Sequence, residues 1–168
     1  MNEKLSIIPL KDIQPSEEVD LNCNKMEIYK ICLQLKQLCE KKNGVGLSAS
    51  QVGIFKKIFV IKFSDKYHYF VNCDYNFVRD EKILSLEGCL SLYNSDGSLK
   101  SFELERYPEV EISGYELYDN KELEYQPLKN YVVSGFLAVV FQHEIDHNFG
   151  RDKMIDKIGK EISIRGRR

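Results

Sequence analysis

The sequence has almost no net charge: 24 lysines and arginines stand against 26 aspartates and glutamates, for a formal charge of −2. Such a balance provides no field to attract a polyanion, so sequence-specific nucleic-acid binding is not expected. No apolar run reaches membrane-spanning length, and the opening Met1-Asn2-Glu3-Lys4-Leu5 starts no signal-peptide h-region. The expectation is a soluble protein that stays where it is made, without a membrane partner. The expected location is the cytoplasm, with an organelle or a phage-infected host cell as the alternatives. The five cysteines (Cys23, Cys32, Cys39, Cys73 and Cys89) are odd in number and lack paired-motif spacing. Free thiols in a reducing compartment are therefore expected rather than a disulfide framework. Internal repeats, low-complexity tracts and linkers are also missing. A chain of 168 residues, 43% hydrophobic, then suits one domain over 1–168 with its own core.

What is present reads as a mixture of strands and two helices. Ile28, Ile31, Cys32, Leu35, Leu38 and Cys39 recur at helical spacing and predict a helix over 26–42, with Cys32 and Cys39 as small core residues. Asn43-Gly44 marks its stop, because glycine reaches left-handed dihedrals cheaply. β-Branched and aromatic residues predict strands over 57–63 and 67–73, joined by a hairpin loop at 64–66. Two more strands are expected over 110–118 and 123–128, and the turn-rich 94–98 reads as a surface loop. A second helix starts at Ser134, a good N-cap, runs to about His147, and ends before Gly150. Its segment 136–141 (FLAVVF) is apolar on every face, as in a buried helix. The fold class predicted is α+β, a single domain with strands packed around this central helix.

That helix carries His143-Glu144-Ile145-Asp146-His147, an HExxH motif. Positions i and i+4 share a helix face, so both imidazoles can bind one ion, while Glu144 can reach a water on it. A chain this long matches the motif by accident roughly once in a few hundred. The surroundings count against accident, because a carboxylate and two imidazoles on a buried helix are costly unless paired or metal-bound. A catalytic ion usually has three protein ligands plus water. His68, between Tyr67 and Tyr69 in the strand predicted over 67–73, reads better as a solvent-facing residue than as the third ligand. Cys89, after Glu87-Gly88, is the better candidate, with a plain core cysteine as the competing reading.

Three motifs together resemble the peptide deformylase family. Gly44-Val45-Gly46-Leu47-Ser48-Ala49-Ser50-Gln51 is similar to GxGLAAxQ, Glu87-Gly88-Cys89-Leu90-Ser91 matches EGCLS, and Gln142 to His147 match QHExDH. The likeness covers roughly residues 44–150. It implies a metal held by Cys89, His143 and His147, natively Fe(II), with Zn, Ni or Co possible in preparations. It implies Glu144 as general acid/base, and the Gln51 side-chain amide and the Leu90 backbone N–H as donors to the oxyanion. Removal of the formyl group from N-formylmethionyl nascent peptides, near the ribosome, is the activity that follows. Val45, Gly46, Val139 and Val140 are candidate walls for the methionine side chain, although plain core is an equal reading for the valines.

The sequence departs from the family pattern at several places. Ser48 replaces the first alanine of the usual pair, Asn148 replaces a leucine, Tyr93 stands where proline is common, and Ser85 replaces an apolar residue. The stretch between Cys89 and His143 is long, with 94–101 as the expected insertion, and the tail after Gly150 is short. Two rival functions remain at this stage. One is an HExxH metallopeptidase, which usually completes its site with His or Glu rather than Cys. The other is a structural metal site, which would need neither Glu144 nor Gln51.

Overall fold

The computed structural model describes residues 4–150; the tail beyond Gly150 lies outside the described residues. Helix α1 spans Lys25–Lys41. The strands are β1 (Gly46–Ser48), β2 (Ile58–Phe63), β3 (Lys66–Phe77), β4 (Ile83–Tyr93), β5 (Leu99–Arg106), β6 (Glu109–Asp119), β7 (Leu123–Pro127) and β8 (Tyr131–Ser134), and helix α2 (Gly135–Asn148) follows. Six strands form one sheet in the order β1-β2-β3-β6-β7, with β8 also on β6, and β4 and β5 form a separate pair. Every pairing between these strands is antiparallel.

Strand β2 explains the layering. Ile58, Phe59, Val60 and Ile61 are all fully buried, so both of its faces are covered. Ile58 and Val60 join Ile28, Cys32, Leu35 and Cys39 of α1 in one core. Phe59 and Ile61 join Phe70, Phe141 and Ile145 in a second core under α2. Alternate residues of a strand point to opposite faces, so the sheet is sandwiched between the two helices. On the side of α2 away from the large sheet lies the β4–β5 pair: the Phe102 ring stacks on His143 and Glu87 bonds the same imidazole. Helix α2 thus has strands on both sides.

Local chemistry sets several boundaries. The Asn24 side chain accepts from the Met26 N–H and starts α1. At the far end it is Asn43, at φ 53°, that takes the left-handed conformation, not Gly44. Gly44 matters for space instead, since a Cβ there would sit 3.0 Å from both Cys39 Sγ and Leu90 Cδ1. The β2–β3 loop is tighter than expected. Phe63 pairs with Lys66, and Ser64 and Asp65 both have positive φ, the signature of a type I′ hairpin turn.

Other expectations need correction. Strands β4, β5 and β8 were not anticipated. Leu84 and Leu86 of β4 are 62% and 69% exposed, so the strand shows no clean burial alternation. Residues 94–98 do form the turn between β4 and β5, but 99–101 belong to β5. Phe136, expected inside, is 71% exposed, because it lines a cavity instead of joining the core; burial is continuous from Ala138 to Asn148. His68 does not face solvent. Its ring stacks on Phe63, with centroids 3.7 Å apart, and its Nδ1 lies 2.7 Å from the buried Glu116 carboxylate.

Strand β3 carries a bulge between Val71 and Asp74, where Asn72 has φ 53° and its side-chain amide brackets the Val19 peptide. Gly114 of β6 faces this bulge at φ 115°. A Cβ there would approach Asn72 O at 2.6 Å and Cys73 Cα at 2.7 Å, and neither backbone atom can yield easily. Strained backbone and overpacking then act together. Gly114→Ala is expected to cost about 2–3 kcal/mol of folding stability in urea denaturation; an unchanged midpoint would show that the bulge can move.

Candidate metal centre and catalytic site

Six of the seven residues from Gln142 to Asn148 are polar, and all six are buried. A buried polar group without a partner is costly, so the accounting of partners describes the site. Gln142 is satisfied structurally. Its amide bonds both the N–H and the C=O of Tyr107 and locks the β5–β6 connection to α2. Asp146 accepts from Arg106 at 2.7 Å and from the Tyr75 hydroxyl at 3.0 Å. Arg106, at the end of β5, is 1% exposed and also makes a two-pronged pair with Glu87 at 2.8 Å on each prong. The second face of Glu87 meets His143 Nδ1 at 2.8 Å. Burial alone would raise the Glu87 carboxyl, but Arg106 and His143 outweigh it and hold it at about 2. Sequence reasoning gave Glu87, Asp146 and Gln142 no role, although all three lie in the recognised motifs; nothing in the sequence marked Arg106.

With Nδ1 of His143 committed to Glu87, its Nε2 points into the site. There it lies 3.2 Å from His147 Nε2, which is 3.4 Å from Cys89 Sγ. All three ligand atoms fall within 4.8 Å of one another. An ion with metal–sulfur bonds of ~2.3 Å and metal–nitrogen bonds of ~2.0–2.1 Å at tetrahedral angles separates its donors by about 3.3 Å (N to N) and about 3.5 Å (S to N). The two close separations match that geometry without rearrangement. Electrostatics agree. Burial drives His147 well below its usual range, which leaves it neutral and able to donate a lone pair. Burial pulls His143 down as well, but the flanking Cys89 and Glu87 reverse this and raise it to about 10. Their charges therefore favour a cation at this spot. The donor set fits a divalent ion, and Glu87 orients one imidazole as second partners of metal-bound histidines do.

The remaining candidates converge on the same place. A cavity of about 240 Å³ is lined by Cys89, His143, Glu144, Gln51 and Leu90, and also by Val45, Gly46, Val139 and Val140. Glu144 Oε2 is buried without a hydrogen-bond partner, and burial pushes the carboxyl up to about 7. Gly46 leaves room for it, since a Cβ there would stand 2.8 Å from Glu144 Oε1. Gln51 is aimed by its own turn. Its Oε1 accepts from the Ser48 N–H at 3.0 Å, and its Nε2 donates toward Ser91 Oγ at 3.2 Å and Cys89 Sγ at 3.6 Å. Pairing of β4 with β5 shifts register between Gly88 and Tyr93, the stretch that holds Cys89 and Leu90. Of the valines, Val139 and Val140 are nearly buried and Val45 is 40% exposed at the rim. His68 lies elsewhere, on the Glu116 side of the sheet.

The Arg106 network yields a stability prediction. Arg106→Met would leave two buried carboxylates facing each other and is expected to lower stability by about 3–5 kcal/mol in urea denaturation. The wild type should lose this contribution in acid. Glu87 has a folded value of about 2 against an ordinary 4.5. Its share is therefore present above 4.5 and vanishes as pH falls toward 2. A mutant within 1 kcal/mol of wild type at pH 7 would contradict the assignment.

Comparison with known proteins places this geometry. The polypeptide deformylase family model matches residues 11–161. Among relatives, the peptide deformylase of Desulforudis audaxviator is 31% identical over 122 residues, covering 72% of this chain and 71% of that protein. The enzyme of a Wolbachia of Drosophila simulans is 30% identical over 161 residues, covering 85% of this chain and 83% of its own. Among solved structures, Thermotoga maritima peptide deformylase superposes with a TM-score of 0.72 at 25% identity, covering 94% of this chain and 99% of that one. A probable peptide deformylase from Synechococcus phage S-SSM7 gives 0.70 at 30% identity, covering 86% and 93%. The chain belongs to the peptide deformylase family of hydrolases.

Proposed function

We propose that the chain, as one catalytic domain over 1–168, removes the formyl group from the N-terminal formylmethionine of nascent peptides, with a divalent ion held by Cys89, His143 and His147. The observation that carries this reading is a cluster of three ligand atoms beside one cavity, which Cys89, His143, an unpartnered carboxylate and an aimed amide line. The native ion on this reading is Fe(II); the donor set would also take Zn, Ni or Co. Such an ion would lower the pKa of a water from 15.7 toward roughly 7 and so supply a nucleophile at neutral pH.

The protein's own groups do the rest. Glu144, raised to about 7 by burial, is poised to accept a proton from the attacking water and return it to the leaving amine nitrogen. The Gln51 Nε2 and the Leu90 N–H donate to the carbonyl oxygen as it gains charge, and one such donor is typically worth ~3–4 kcal/mol. A thiolate ligand gives charge to the ion and weakens it as a Lewis acid, which increases the burden on these donors. A formyl carbonyl carries only hydrogen, so a tight site can admit it and exclude bulkier acyl groups. Val139 and Val140 wall the apolar pocket for the methionine side chain, with Gly46 and Val45 at its rim. The peptide would lie extended, bonded through its main chain, which tolerates varied sequences. Its substrate is made at the ribosome, so action in the cytoplasm or beside the ribosome follows. Among the described residues no helix is long and apolar enough to cross a membrane.

The test is turnover of a formylated methionyl dipeptide, compared with an unformylated longer peptide, by protein of measured metal content. Absence of deformylation by metal-replete protein would end the proposal. Glu144→Gln should keep its metal and lose nearly all turnover, because an amide cannot shuttle the proton; near-normal rates would remove Glu144 from its role. Cys89→Ser should purify largely metal-free, since a hydroxyl is a far poorer ligand than thiolate for these ions. Full metal occupancy in that variant would make Cys89 a core residue only.

A further inference from the structure

We infer that Ser48 and Asn148 form a buried clamp that holds the Gln51 amide in register with the His147 end of α2, and that both act as positioning residues. This inference rests on the part assigned to Gln51 above.

Strand β1, which ends at Ser48, is an edge strand paired only with β2, so sheet hydrogen bonds alone do not set its distance from α2. Side chains do. The Ser48 hydroxyl, fully buried, donates to Asn148 Oδ1 at 2.9 Å. Two residues on, the buried Ser50 hydroxyl donates to the main-chain oxygen of His147 at 3.3 Å. Both hydroxyls therefore grip the last turn of the helix that carries the two histidines, Ser48 through the Asn148 side chain and Ser50 through the His147 carbonyl, which also accepts from the Gly150 N–H. The same Ser48 supplies, through its backbone N–H, the bond that orients the Gln51 carboxamide. Any shift of Ser48 relative to α2 then moves Gln51 relative to His143 and His147. The helix end is anchored from outside as well, because Asn148 O accepts from the Ser16 N–H at 2.9 Å.

Positions 48 and 148 are also two places where this sequence departs from its family pattern, an alanine and a leucine. An alanine–leucine pair fills the space but has no directional bond. The hydrogen bond fixes direction as well as distance, which an oxyanion donor needs, since its effect depends on alignment with the developing charge.

The experiment compares Ser48→Ala, Asn148→Leu, the double variant, and each in a Gln51→Ala background. Leucine has the heavy-atom outline of asparagine. Ser48→Ala strands the buried Asn148 Oδ1 and should lower the melting temperature, whereas the Ser48 hydroxyl left by Asn148→Leu keeps Ser50 Oγ at 3.1 Å and the Ile58 carbonyl at 3.5 Å and should cost less; the double change removes both groups and should recover most of the loss. A structural role alone predicts that kcat recovers along with stability. The clamp predicts that it does not. In the double variant kcat should remain about tenfold down with KM unchanged, a fraction of the ~10²–10³ lost when an oxyanion donor is removed outright. In the Gln51→Ala background the double change should have no further effect on kcat. A second readout needs no turnover: hydrogen exchange at the Gln51 carboxamide in the metal-loaded protein should quicken at least tenfold in the double variant. Should that variant not fold, Asn148→Ser breaks the same bond without added bulk and is read by both measurements. Restored kcat with unchanged exchange would overturn the clamp. If the double variant loses the amide protection as stated yet wild-type protein turns over no formylated peptide, the clamp stands and the proposed reaction fails.

Discussion

The guanidinium of Arg106 is the contact on which the site depends. It is buried between Glu87 of β4 and Asp146 of α2. Strands β4 and β5 make no ladder with the six-stranded sheet, so backbone hydrogen bonds do not dock them. The ion network does, together with the small apolar cluster of Leu10, Ile13, Cys89, Phe102 and Leu104. Cys89 lies two residues beyond Glu87 on the same strand. Holding Glu87 against Arg106 and His143 therefore also brings the thiol to the imidazoles. Desolvating three charges is expensive and is offset only when every prong is bonded. Both carboxylates and the guanidinium meet that condition here.

From this arrangement the electrostatics of the site follow. Glu87 has its charge secured by Arg106 and stays ionised while it orients His143. Glu144, one residue along, has no cationic partner of that kind and is left protonatable near neutral pH. The two carboxylates Glu87 and Glu144 thus hold their protons differently because their surroundings differ. Environments that push two acids apart in this way are characteristic of sites that move protons.

Much of the fold was legible from residue patterns. The spacing of Ile28, Cys32, Leu35 and Cys39 marked α1 to within a residue at each end, and the aromatic and β-branched runs marked β2, β3, β6 and β7. Strand β4 was hidden because Leu84 and Leu86 face solvent, which inverts the expected burial pattern; β5 does alternate at Phe102, Leu104 and Arg106, but its third inward residue is a charged one, so the alternation did not read as apolar. His68 was misread because a stacking ring and a buried acceptor lie on other strands, out of reach of any local pattern.

The sequence by itself determined the helix that presents His143 and His147 on one face and the acid beside them, because each depends on spacing within a few residues; Gln51 was reached only through the family resemblance. Tertiary structure decided which cysteine joins the histidines, where Arg106 goes, and that Ser48 meets Asn148, a hundred positions away. Those contacts join β1, β4 and β5 to the end of α2. Long-range pairs of this kind are set by how sheets and helices pack, and helical or strand periodicity carries no information about them.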